Sequence, residues 1–311
     1  MKLNYSSAIA LALTTAVISG TANFLNKLAV TAVANPTIFT FVKNSLVSLF
    51  LIGIIIALKK WPELKQINKK DWYKLIIIGI VGGSVPFILF FKGLSLTSAV
   101  NAGLIHKTLF IWVALLAVPI LKEKISWVQG AALALLTAGN FVLGGWQNFT
   151  FSSGELMIFI ATLLWAVETI IAKKTLQNVS SLITASSRMV FGSIILFGVV
   201  IWQYDLPVFG NLTPTQWSWT ILPSLLLLGY VLTWYTALKH APAILVASLL
   251  VPATLVTNLL SAIFITHSLT LKEMLSAGLF VISIYLFVIS IKKTKDQGLE
   301  KVMAGSFPYD A

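Results

Sequence analysis

The sequence predicts an all-α integral membrane protein of ten transmembrane helices arranged as two inverted five-helix repeats, and three observations predict it. Of 311 residues, 58% are hydrophobic and only 10% charged, whereas a water-soluble domain needs about 25% charged residues to cover its surface. Mean hydropathy is +0.91. Ten apolar runs of bilayer-crossing length, about 20 residues each, follow one another. Finally, the chain matches itself at a shift of about 145 residues.

Bounded by charges, prolines, asparagines and Ser/Gly clusters, the spans are 7–28, 36–58, 73–92, 97–121, 127–144, 154–173, 181–203, 216–238, 243–266 and 272–291. The connections are too short for a separate soluble domain. Runs such as Leu75-Ile76-Ile77-Ile78 are continuous rather than alternating, which favours helices over a barrel. The first run is too long, and its charged start too poor, for a cleaved signal peptide. With no cysteine, thiolate catalysis, disulfides and Cys-ligated metal are excluded.

A formal charge of +12 would suggest a nucleic-acid partner in a soluble protein. Here it sets orientation instead. Sixteen of the 22 Lys and Arg residues fall at one set of span ends and in the tail, and three, Lys27, Lys92 and Lys272, at the other. Both termini are therefore expected in the cytoplasm, with the bilayer and a small molecule as partners and no nucleic acid. The remaining three cations, Lys43, Lys107 and Arg188, lie inside spans.

Span one places Asn23, Asn26 and Lys27 on one face by i, i+3, i+4 spacing, as helix contacts or ligand contacts. Lys43 in span two and Arg188 in span seven occupy matching positions, which points to a gating or structural charge, with substrate contact as the alternative. The basic connector 59–74 is an inner-face segment. In span three, Gly79 and Gly83 allow close packing, and Pro86 frees a backbone carbonyl.

Span four carries Asn101, His106 and Lys107. An ionisable group inside lipid is a site candidate by default, so Lys107 leads: it would attract a carboxylate or phosphate, or else pair permanently with Glu168. Span six opens with a capping box, Ser152 to Glu155, and carries Trp165 and Glu168. Glu168 is read either as a proton carrier or as a fixed ion-pair partner. Tyr230 and Trp234, four residues apart in span eight beside Tyr235, would line a cavity or simply pack. In span nine, Pro252 with Thr254 and Asn258 would add hydrogen bonds near the midplane. The expected substrate-binding set is thus Lys107, His106, Asn101, Trp165, Glu168, Tyr230, Trp234 and Asn258, with no catalytic residue, metal ligand or cofactor beyond protons for coupling. Two Asn-x-Thr patterns, at Asn148 and Asn211, fall on outer loops, and the polar tail from 293 on is expected to be disordered.

At the repeat shift, Lys43 aligns with Arg188, Ser48 with Ser193, Gly53 with Gly198 and Trp72 with Trp217, and the corner at 92–99 aligns with 236–243. The repeats would be 1–146 and 147–292, followed by a tail at 293–311. Five spans each makes the second repeat enter from the opposite face, a design suited to alternating access around a midplane cavity.

The order of Leu121-Lys122-Glu123-Lys124-Ile125-Ser126, Trp165-Ala166 and Ala237-Leu238-Lys239-His240-Ala241-Pro242-Ala243 resembles the EamA type of the drug/metabolite transporter superfamily. Ser19-Gly20 and Thr266-His267-Ser268 depart from its pattern. The resemblance implies a metabolite exporter in a bacterial cytoplasmic membrane. An enzyme is disfavoured because the three histidines are scattered, and a primary pump because no phosphate-binding loop occurs. A channel or structural subunit, and a homodimer, stay open. The net positive span interior favours amino acids or related zwitterions over phosphorylated, nucleotide-like metabolites and over hydrophobic drugs.

Overall fold

A computed structural model describes residues 5–33, 35–144, 152–203 and 212–304. Lys2, both Asn-x-Thr asparagines and most of the two outer loops lie outside them. The described residues form helices and short turns with no strand.

The chain runs through α1 (Tyr5–Val33), α2 (Pro36–Ala57), a short α3 (Trp61–Lys65), and α4 (Lys69–Ile78), which passes through π turns at Gly79–Ser84 into α5 (Val85–Leu96). It continues with α6 (Ala99–Lys107), α7 (Leu109–Leu121), α8 (Trp127–Gly144), α9 (Ser153–Thr175), α10 (Ser181–Gln203) and α11 (Pro214–His240). Finally come α12 (Ala243–Ser248), α13 (Ala253–Ser261) with π turns at Ala262–Thr266, and α14 (Leu271–Ala304).

Among the described residues, nine helical segments are long and apolar enough to cross a membrane. The expected fifth span, α8, is shorter: 18 residues reach about 27 Å at 1.5 Å per residue, just under a hydrocarbon core of about 30 Å. Local chemistry sets the ends. Asn35, Ser98 and Asn68 accept backbone hydrogen bonds at the starts of α2, α6 and α4, so the third span begins at Lys69 rather than at 73. Ser152/Glu155 and Thr213/Gln216 form reciprocal capping boxes on α9 and α11. The tail expectation needs correction: the backbone of α14 stays helical to Ala304, because residues 299–304 are nearly all good helix formers.

Helix pairing follows a regular scheme. α1 packs along α11 and α5 along α9, while α2 packs on α10 and α8 on α14. Small residues make these contacts close. A Cβ on Gly83 would strike the backbone of Arg188, and one on Gly192 would strike that of Gly83, so α10 crosses the π turns backbone to backbone. Ser48 and Ser193 share a hydrogen bond of 2.9 Å at the α2–α10 crossing. Ser276 and Ser283 donate to Gly139 and Ala132 carbonyls between α14 and α8.

Two lysines do equivalent work. Lys27 Nζ donates to the Leu94 and Thr97 carbonyls at the end of α5, and Lys173 Nζ donates to the Leu238 and Ala241 carbonyls at the end of α11. Each places a cation on four-residue-end carbonyls that a helix cannot satisfy itself. Lys122 and His267, also one repeat apart, both take left-handed backbone conformations at helix ends.

A central cavity and the family of the chain

Where α1, α2, α5, α6, α7, α9, α10 and α11 converge they line a half-open cavity of about 70 Å³. Pro86 builds one wall. It has no N–H for the carbonyl one turn back, Gly82, and that oxygen instead accepts Trp165 Nε1 at 3.0 Å and Arg188 Nε at 3.1 Å. The π turns likewise leave Gly83 O for Asn44 Nδ2 at 3.2 Å. The proline expected to expose a carbonyl does so, and the carbonyl fastens three helices.

Arg188 is well compensated. Its Nη1 lies 4.0 Å from Glu168 Oε2 and 3.5 Å from the Tyr235 hydroxyl, and its guanidinium sits 5.4 Å from the Phe87 ring centre. Tyr235 donates its hydroxyl proton to Glu168 Oε1. A Cβ at Gly82 would strike Glu168 Cγ, so glycine is what admits this carboxylate. Arg188, and not Lys107, is therefore the cation beside Glu168.

Lys43 is different. Its side chain is 1% exposed and lines the cavity, yet among the described residues it has no hydrogen-bond acceptor and no carboxylate. Its Nζ rests on the Phe91 ring at 3.7 Å, with Phe39 at 5.1 Å and Phe87 at 5.5 Å. Desolvated cation–π contacts are worth about 2 kcal/mol, while the penalty for burying an ammonium is several kcal/mol. The rings offset only part of it, so the ammonium is poised for an anion.

The structure brings His106, Trp165, Glu168, Tyr230 and Trp234 to the cavity together with Lys43 and Arg188. The His106 ring lies 4.8 Å from Trp165 and 5.5 Å from Phe90, and Tyr230 stacks on Trp234 at 5.9 Å. Three expected residues lie elsewhere. Lys107 donates from Nζ to Ser19 Oγ at 2.9 Å, and it is Ser19 rather than Lys107 that lines the cavity. Asn101 donates to Glu155 Oε1 at 2.9 Å near the start of α6. Asn258 is buried on α13, and Thr254 donates to Val251 O beside the break at Pro252.

The sequence reading passed over Asn44 and the Phe39, Phe87 and Phe91 cage, because phenylalanine in a span reads as lipid-facing or packing. It also passed over Asp71, 1% exposed, which accepts from Asn68, Lys74 and Asn178 and ties α4 to the turn after α9. Among the described residues no group of three His, Asp or Glu could hold a metal.

The profile of the EamA-like transporter family matches the chain twice, at 6–145 and 152–289. The chain belongs to the EamA-like transporter family. It is 27% identical over 256 residues to an uncharacterized transporter of Synechocystis sp., covering 77% of this chain and 72% of that one. An uncharacterized transporter of Archaeoglobus fulgidus is 24% identical over 247 residues, 78% and 84% of the two chains. A crystal structure titled only as that of a protein superposes with a TM-score of 0.74 at 16% identity, covering 93% of this chain and 99% of that one, which shows a shared fold. This EamA-family chain is a multi-pass membrane protein, and its relatives' names make membrane transport its general activity.

Proposed function

We propose that this EamA-family protein is a secondary carrier that exports amino acids or related zwitterions by alternating access, through ten spans in two inverted repeats. The carrying observation is Lys43: one uncompensated ammonium in a small cavity whose other charges, Arg188 and Glu168, neighbour each other. A ligand carboxylate would give that ammonium the partner it lacks.

Cavity size bears on the competing substrates. At about 70 Å³, it has room for about five waters, so it must widen for any solute, and least for one of amino-acid size, since pockets for drug-sized ligands measure about 300–1,000 Å³. The inverted repeat, divided near 146, is supported by the doubled profile match, the paired Lys27 and Lys173 latches and the exchange-symmetric helix pairing. The Lys and Arg asymmetry supports cytoplasmic termini, and the relative from Synechocystis sp. supports a bacterial inner membrane.

The test is counterflow in proteoliposomes preloaded with mixed amino acids. The parent protein should show saturable exchange. Lys43→Gln removes one charge-assisted hydrogen bond, worth about 1.5–3 kcal/mol, and should raise the half-saturating concentration about tenfold to a hundredfold. Unchanged affinity in Lys43→Gln would overturn the assignment of the carboxylate to this lysine.

A further inference from the structure

The cavity has a second polar region, on the seam between α1 and α6. Ser19, Asn23 and Asn26 recur at i, i+4, i+7 and form one stripe of α1. Ser19 Oγ holds Lys107 Nζ. Asn23 Nδ2 lies 4.0 Å from where a Cβ of Gly103 would stand, and His106 is one turn further along α6. Asn23, Asn26 and His106 are 9%, 7% and 8% exposed, and all three line the cavity.

None of the three is satisfied. Asn23 Nδ2, Asn26 Oδ1 and His106 Nδ1 have no hydrogen-bond partner among the described residues. A buried polar group left unmet is costly, and native structures reserve such groups for a purpose. Three of them in one seam, on residues that line the same cavity, make a site that a small turn of these side chains would offer to the polar atoms of a ligand.

The seam also has a position relative to Lys43. Lys43 Nζ lies on Phe91, the Phe91 and Phe90 rings are 5.3 Å apart, and Phe90 contacts His106. Ring contacts thus link the ammonium to the seam through Phe91 and Phe90, and both line the one cavity. With its carboxylate on Lys43, a substrate has the far end of its side chain left for the seam.

The chemistry of the seam narrows that end group. The Lys107 ammonium on Ser19 disfavours a second cation. The orphans comprise an amide donor and an amide acceptor, which together suit a neutral group carrying both functions. A rotation of either carboxamide exchanges its own oxygen and nitrogen, and each asparagine still offers a donor and an acceptor.

Resting on the carrier reading above, we propose that the Asn23–Asn26–His106 seam is a side-chain subsite, and that the preferred substrate is a zwitterion ending in a neutral donor–acceptor group such as a carboxamide. Its carboxylate docks on Lys43, and its ammonium faces the Trp165 ring.

Three near-isosteric amino acids test it: glutamine, glutamate and methionine, each competing with labelled glutamine for exchange in proteoliposomes. Glutamine should half-saturate at a concentration at least about tenfold below the other two, because a site built to hydrogen-bond rejects an analogue that cannot. Asn23→Leu and Asn26→Leu should bring glutamine to the level of methionine. Glutamine-dependent thermal stabilisation in detergent, lost in both variants while they still melt cooperatively, separates a lost subsite from misfolding. Methionine or glutamate equalling glutamine in the parent protein, or a preference that survives both substitutions, overturns the subsite and leaves the carrier reading standing. No exchange of any of the three overturns both.

Discussion

At the scale of single residues, the cavity separates two kinds of buried charge. Arg188 has a carboxylate, a phenol, a carbonyl and a ring around it, whereas Lys43 has rings alone. Sequence could identify both as buried cations in equivalent positions, because repeat and burial are visible in the pattern. It could not assign partners, since which cation meets Glu168 depends on helix rotation. The cluster makes Glu168 a fixed partner in our reading. Glu168→Gln removes the charge facing Arg188, and breaking a buried pair costs about 3–5 kcal/mol. The remaining contacts to Gly82 O and Tyr235 place the expected loss at the low end, read as a lower melting temperature in detergent. Transport by this variant should keep whatever dependence on an imposed pH gradient the parent shows. Loss of that dependence alone, with stability intact, would return Glu168 to the role of proton carrier.

At the scale of elements, broken helices were more legible than their consequences. Pro86 marks span three as broken from sequence alone, while Gly79 and Gly83 read there only as a close-packing pair, and the structure places π turns at Gly79–Ser84. What the pattern could not give is the use made of the freed oxygens, which needs Asn44, Trp165 and Arg188 brought from three other helices. Pro86→Ala restores an N–H that competes for Gly82 O. It should loosen Trp165 and Arg188 and change the cavity while leaving the span helical by circular dichroism. At the Gly83–Gly192 crossing the effect is steric. Each added methyl meets backbone that has no flexible end to move, so Gly192→Ala should destabilise by about 1–3 kcal/mol or more, the usual scale of overpacking. Gly53→Ala meets nothing within 4 Å and should be neutral or slightly favourable in the same melting experiment, since alanine is the better helix former.

At the scale of the whole molecule, the two halves carry the same devices on opposite sides if the repeat is inverted. Lys27 latches the end of α5 near one expected face, and Lys173 latches the end of α11 near the other. Rocking between the halves would then trade one latch against its twin, which gives alternating access a physical handle. Orientation is the part of this that can be measured directly, because the natural chain has no cysteine and needs no background substitutions. Lys65, Lys92, Lys174 and Lys272 are all exposed in the structure. Charge asymmetry puts Lys65 and Lys174 inside and Lys92 and Lys272 outside. A membrane-impermeant maleimide added to intact cells should label Lys92→Cys and Lys272→Cys, and should reach Lys65→Cys and Lys174→Cys only after permeabilisation. Lys92 and Lys272 sit in different repeats, after an odd number of spans in each case, so the pair reports on the parity of the spans as well as on direction. Labelling of Lys92→Cys without Lys272→Cys would mean that the short helix α8, or another span between them, does not cross, and the ten-span inverted arrangement would fall with it.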